Sequence, residues 1–124
     1  MRQMLAQREE LVERIARTIS TDGTVIPLAG LHLSRHSQPL AAVQGVVEPS
    51  LCVLAQGSKE FLLGASRYRY EPEQYLLATV DLPHVRQIVE ASPERPTLSL
   101  RVNLTTDLVE AVLIEVGVLS TYAM

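Results

Sequence analysis

Between Leu51 and Leu104 the chain meets a turn-forming residue every seven to eleven positions, at Pro49, Gly57, Gly64, Pro72, Pro83 and Pro93. Each apolar run between two breakers is long enough for one strand and too short for a helix. That rhythm predicts a compact antiparallel β-barrel or sandwich. Residues 97–104 carry the pattern most plainly. Leu98, Leu100, Val102 and Leu104 share one face, and Thr97, Ser99, Arg101 and Asn103 share the other, as the two-residue period of a strand requires. One face is core, and the other is either solvent or a wet interior.

The segments around this run are read in the same way. Residues 4–20 place Leu5, Leu11, Val12, Ile15 and Ile19 at helical spacing, with Glu10/Arg14 and Glu13/Arg17 four apart, so an amphipathic helix is expected to pack on the body. Thr21-Asp22-Gly23 ends it. Short strands are expected at 25–28 and 31–35, and residues 38–50, with Pro39, Gly45 and Pro49, read as a loop. Strands follow at 51–56, 60–63, 66–70, 75–80, 84–90 and 97–104. Gly57-Ser58 fits a tight hairpin, and Glu71-Pro72-Glu73-Gln74 fits a type I turn. From Thr105 a helical period returns in Leu108, Val109, Val112, Leu113 and Val116, with Thr106 or Asp107 able to cap its first turn. The expected layout is one domain over 1–124, with helix 4–20, β-core 24–104 and helix 105–116.

Composition narrows the functions open to such a fold. A chain of 124 residues supports one ordinary core, and with Phe61 as the sole phenylalanine and no tryptophan that core should be mostly Leu and Val. The formal charge of -3, with a single lysine among eleven basic residues, argues against binding a phosphate backbone. Cys52 is the one cysteine, which excludes an internal disulfide and suits a reducing cytoplasm. No apolar run approaches a membrane span, and the charged amino terminus does not read as a secretory signal. No membrane partner is expected.

Three separate segments, LCVLAQGSKEFLLG at 51–64, YRYEPEQYLLATVDLP at 68–83 and VEASPERPTLSLRVNL at 89–104, together resemble the amino-terminal domain of AraC-type transcriptional regulators. The resemblance spans roughly residues 5–115. It implies a mainly β fold, a cupin-like antiparallel β-barrel or jelly roll with an N-terminal and a C-terminal helix. The implied function is ligand sensing and/or dimerisation on behalf of a DNA-binding helix-turn-helix domain, which the sequence after Thr105 does not show. The implied partners are a small-molecule effector, a second copy of the chain, and DNA only through that missing domain.

The chemistry-bearing residues are few. Arg101 stands mid-strand, where its guanidinium either clamps a carboxylate inside the barrel or blunts a solvent face. Tyr75 is either a ligand-contacting ring or a barrel-end plug, and His84 is a lone histidine beside a proline. These three are the candidate ligand-binding residues. Leu108, Val109, Val112, Leu113 and Val116 are the candidate dimer interface, with the stripe from Leu5 to Ile19 as a second one. No metal site is expected. His32 and His36 do not converge on a strand, and the His-x-His pair of metal-binding cupins is missing. Cys52 sits between Leu51 and Val53 and reads as inert packing, and Ser58 lacks a nucleophile elbow. Tyr68 and Tyr70, alternating with Arg67 and Arg69, read as an amphipathic edge strand. The reading is therefore a non-catalytic domain without a cofactor. The rival is a small metal-dependent cupin enzyme, an isomerase or dioxygenase, and a third option is an interaction module with a filled interior.

Overall fold

A computed structural model describes residues 2–72 and 74–117, with side chains from residue 7 onward. Its elements run α1 (Arg2–Thr18), β1 (Gly23–Leu28), β2 (Leu31–His36), β3 (Leu40–Val47), β4 (Ser50–Gln56), β5 (Ser58–Leu63), β6 (Ser66–Tyr70), β7 (Tyr75–Ala78), β8 (Leu82–Glu90), β9 (Thr97–Asn103) and α2 (Thr106–Glu115). The strands form two sheets, in the orders β1-β2-β9-β4-β7 and β3-β8-β5-β6, with every pair antiparallel. Successive strands from β2 to β8 alternate between the sheets except at the β5–β6 hairpin, and β9 returns between β2 and β4. That is the strand order of a jelly roll. The fold is thus mainly β, an antiparallel jelly roll flanked by a helix on either side in sequence.

The helix α1 docks on the outer face of the five-stranded sheet. Ile15 and Ile19 are buried against Leu33, Ala55 and Leu98, with Leu11, Val12, Leu31 and Leu100 packed around them. Arg14 and Arg17 pair with Glu10 and Glu13 on the solvent side, as the four-residue spacing dictates. The side chain of Leu5 lies outside the described residues. A second cluster closes the sandwich from inside, where Val47, Leu54, Phe61, Tyr70 and Ala78 meet with Leu76 and Leu82 alongside. The buried set holds three isoleucines but only one valine among the described residues, Val47. The expected Leu and Val core holds for leucine, with Leu33, Leu54 and Leu98 buried, and is corrected for valine. The other described valines are half-buried or exposed, and isoleucine, phenylalanine and alanine take their place.

Two local expectations are also corrected. Residues 38–50 are not a loop, because β3 pairs along β8 from Leu40↔Ile88 to Val47↔Leu82. Its small residues hid the strand, and the close approach of Gly45 explains one of them: a Cβ there would stand 3.1 Å from His84 Cε1. Gly57-Ser58 is not a hairpin either, since β4 pairs with β7 and β9 while β5 pairs with β6 and β8. It is the corner where the chain leaves one sheet for the other. Gly57 takes φ +96°, and a Cβ on it would lie 2.1 Å from Thr97 Oγ1, so only glycine fits there. The hairpin lies one strand later, between β5 and β6, with Gly64 in the left-handed region at φ +62°.

The three segments read together in the sequence meet in space. The strands β9, β4 and β7 are neighbours in one sheet, and the Gln56 side-chain amide donates to the Pro96 carbonyl at 2.8 Å. Thr97, wholly buried beneath Gly57, donates its hydroxyl to the Glu90 carbonyl at 2.5 Å. The strand β6 is the edge of its sheet. Arg69 bonds to Glu90 and Glu71 there, and Arg67 to Glu60, which blunts the edge with charge. The turn at 71–74 closes through Gln74 N–H to the Glu71 carbonyl at 3.1 Å, although Glu73 within it lies outside the described residues.

The helix α2 follows β9 directly. Its cap is Thr105, whose hydroxyl accepts the Leu108 N–H at 3.1 Å, rather than Thr106 or Asp107. Thr105 holds the extended backbone of a cap residue, whereas Thr106 already begins the helix. None of the residues of α2 is buried. No helix among the described residues is long and apolar enough to cross a membrane.

Candidate functional site

Between the two sheets lies a cavity of about 260 Å³, larger than the roughly 150 Å³ void that admits benzene and near the lower end of ligand pockets at about 300 Å³. Strand alternation decides what lines it. On β9 the face carrying Leu98 turns outward under α1, so Ser99 and Arg101 turn in. On β5 Lys59 and Phe61 point inward, on β8 His84 and Arg86, on β2 His32 and Ser34, on β4 Cys52, and on β6 Tyr70. The interior is therefore wet and basic. Of the two settings open to the polar face of residues 97–104, that face takes the wet interior, and the filled interior of the third option does not fit this lining.

Lys59 is the most constrained member. It is 8% exposed, and its Nζ donates to Ser99 Oγ at 2.9 Å. Burial pulls its pKa from 10.5 to about 8, with Arg86 adding to the effect, Cys52 acting against it, and Arg101 adding a smaller share. Among the described residues, the hydroxyl of Ser99 is the hydrogen-bond partner shown for its ammonium.

The histidines respond to the same field. His84 is held below its ordinary range by burial and then by Arg86, while the Gly45 and Leu82 backbones pull it upward. Its Nδ1 is enclosed by the surrounding protein. The ring stands 5.2 Å from that of Phe61, which stacks at 5.4 Å on Tyr70. His32 is lowered by burial and by Arg101, with Glu48 acting against them. His36 is lowered by burial, Lys59 and Arg86, with Asp22 acting against them. Burial holds the Tyr70 hydroxyl well above its ordinary value, so it stays protonated.

Of the three residues singled out from sequence, the structure brings two together. Arg101 and His84 both line the cavity, and the Arg101 Nε is buried without a hydrogen-bond partner among the described residues. Tyr75 is not with them. It starts β7, an edge strand, is 68% exposed, and sits in a shallow surface depression with Tyr68 and Gln74. Cys52 does not have the apolar setting its neighbours Leu51 and Val53 suggest. Those two point to the other face, and the thiol lines the basic cavity 3.8 Å from Ser50 Oγ.

Sequence reasoning passed over Lys59, Arg86 and Ser99. The signal was present: Lys59 is two residues from Phe61 and Arg86 two from Ile88, so each cation shares a face with a core residue. His32 and His36 sit on one face of β2 but far apart along it. No group of three His, Cys, Asp or Glu side chains placed to hold a metal ion occurs among the described residues.

The model of the AraC-type transcriptional regulator N-terminus matches residues 27–123. No curated protein matches the chain significantly. Among solved structures, the chain is similar to a cupin-2 domain containing protein from Shewanella frigidimarina NCIMB 400, at 5% identity over 68% of this chain and 80% of that one, with a TM-score of 0.44. It is also similar to a cupin superfamily protein from Desulfitobacterium hafniense DCB-2, at 10% identity over 67% of this chain and 75% of that one, with a TM-score of 0.43. An HTH_3 family transcriptional regulator from Vibrio cholerae aligns at 15% identity over 66% of this chain and 49% of that one, with a TM-score of 0.41.

Proposed function

The chain belongs to the AraC-type transcriptional regulator N-terminal family, and from that premise we propose that it is a non-catalytic sensing and dimerisation domain, working in the cytoplasm, that binds a small-molecule effector inside the jelly roll. The observation that carries this reading is the polar cavity between the sheets, with Arg101 Nε buried in it without a hydrogen-bond partner among the described residues. Buried polar groups are normally satisfied, so a cavity that keeps an orphaned guanidinium N–H is matched to a guest with polar atoms of its own. Arg101 and His84 are the contacts proposed for it, and Tyr75 is relegated to the rim.

The connectivity supports a route from guest to partner. The strand β9 presents Ser99 and Arg101 to the cavity and Leu98 and Leu100 to α1, and Thr105, two residues past its end, caps α2. A guest that pulls on Arg101 thus acts on the strand that seats one helix and starts the other. Occupancy matters only through different affinity for two arrangements of these helices, and about 1–3 kcal/mol of coupling gives roughly a 5- to 150-fold response.

For dimerisation the support is α2, where Leu108, Val109, Val112 and Val116 are all exposed and Leu113 is half-buried. An apolar stripe left uncovered on one copy is matched to the same stripe on another, as a two-fold contact requires. Two measurements test the reading. A thermal-shift screen of small polar metabolites should yield compounds whose stabilisation disappears in Ser34→Phe, which fills the interior. Sedimentation should show a dimer that Val112→Asp turns into a folded monomer. A screen whose every hit survives Ser34→Phe, together with a wild-type protein monomeric at high concentration, would sink the proposal.

A further inference from the structure

The cavity gathers three basic side chains from three strands, Lys59 of β5, Arg86 of β8 and Arg101 of β9, and no Asp or Glu is among the described residues that line it. None of the three makes an ion pair with a carboxylate among the described residues. Lys59 bonds to a neutral hydroxyl, and the buried Arg101 Nε–H has no hydrogen-bond partner among the described residues. Lys59 is buried, Arg101 is half-buried with its Nε enclosed, and Arg86 stands at the solvent-open side of the cavity; an unpaired cation out of water is costly, and like charges held near it add to the cost. Four exposed arginines of the same chain do find acids, Arg14, Arg17, Arg67 and Arg69.

The rest of the lining is of another kind. Phe61, Tyr70 and Val47 belong to the apolar cluster that closes the sandwich, and all three also face the cavity. A guest suited to both surfaces has an anionic head and an apolar body. We propose that the cavity takes a small carboxylic acid as its anion, with the carboxylate among Lys59, Arg86 and Arg101 and the hydrocarbon part against Phe61 and Val47. The volume of about 260 Å³ restricts the body to about one ring or a short branched chain, by comparison with benzene in about 150 Å³. A bare inorganic anion would meet the cations but leave the apolar surface wet. The guanidinium groups suit a carboxylate because each presents a planar fork of donors.

This inference rests on the cavity being the effector site, and the experiment separates the two claims. The 124-residue chain is titrated calorimetrically at pH 7 and 150 mM salt with benzoate and hexanoate, with their neutral amides benzamide and hexanamide, and with inorganic phosphate. At least one acid should bind tenfold or more tightly than its amide and than phosphate. Arg101→Gln and Arg86→Gln should each weaken that acid tenfold or more and leave any amide affinity within twofold, with folding checked by circular dichroism. Should either variant fail to fold, the wild-type protein answers alone. At pH 8.5 acid binding should take up protons, read as a heat that changes with the ionisation enthalpy of the buffer, because an anion beside Lys59 restores its charge. Amides binding as tightly as acids, or phosphate more tightly, would overturn the carboxylate and leave the effector site standing. No binding by acid, amide or phosphate would overturn both.

Discussion

Lys59→Met should erase a pH dependence that the wild-type stability carries between about pH 8 and 10. The lysine is buried, and its pKa falls from 10.5 in the unfolded chain to about 8 in the fold, through burial first and then Arg86 and Arg101. Below pH 8 both states hold the proton, and the fold bears the full cost of a charge out of water. At about 1.4 kcal/mol per pH unit the gap amounts to about 3 kcal/mol. Between about 8 and 10.5 the unfolded chain binds the proton and the folded one does not, so stability rises with pH. Above 10 Tyr70 acts in the opposite sense, because its hydroxyl stays protonated in the fold while the unfolded one ionises. The clean window therefore ends near pH 9.5, by which point about 2 kcal/mol should have been recovered. Urea denaturation followed by far-ultraviolet circular dichroism, at pH 7 to 9.5 on both proteins, isolates the lysine because groups common to both cancel. At pH 7 the variant should be the more stable by about 2 kcal/mol, after allowing about 1 kcal/mol for the bond lost at Ser99. Parallel stability curves for the two proteins would refute the burial of the ammonium.

Two further substitutions probe the frame that holds the cavity. Gly57→Ala should cost about 2–5 kcal/mol, because it combines a positive φ with a Cβ 2.1 Å from Thr97 Oγ1 and 2.8 Å from Thr97 Cα. A urea midpoint unchanged from wild type would show that the corner relaxes freely. Ile15→Ala should cost about 2–5 kcal/mol, since Ile15 is 2% exposed beneath α1. The same change should speed amide hydrogen exchange in α1 more than in β5. A loss under about 0.5 kcal/mol would mean that α1 is not docked on the sheet.

The strands were legible wherever a breaker stood on each side of an apolar run, which is why β4 to β9 fall within a few residues of their expected limits. The strand β3 was not, because LAAVQGVV offers small side chains and a glycine in the place of bulky β-branched ones. The reason for that glycine is a ring on the neighbouring strand, His84, and no local pattern can contain it. The Gly57-Ser58 corner was misread for a similar reason. A positive-φ glycine between two strands marks a sharp turn, but whether the next strand returns beside the first or crosses to the other sheet depends on partners far along the chain. Here Thr97, forty residues later in sequence, occupies the space a Cβ would need.

Why the site was only half legible follows from the layering. An alternating strand is ordinarily read with its apolar face toward the core and its polar face toward water, and on that rule Arg101 belongs outside. In this fold both faces of the five-stranded sheet are covered. The helix α1 takes Leu98 and Leu33 on the outside, so the polar face of β9 has the sandwich interior left to it. The amphipathic helix at 4–20 carried that information, since a helix with an apolar stripe must cover an apolar face, and the most regular such face in the sequence is that of Leu98, Leu100 and Val102. Once the helix claims that face, Ser99 and Arg101 must point inward. Phe61 and Ile88 then draw Lys59 and Arg86 after them on the opposite sheet. Three strands thus deliver their charges to one place by the same two-residue period that packs their apolar neighbours.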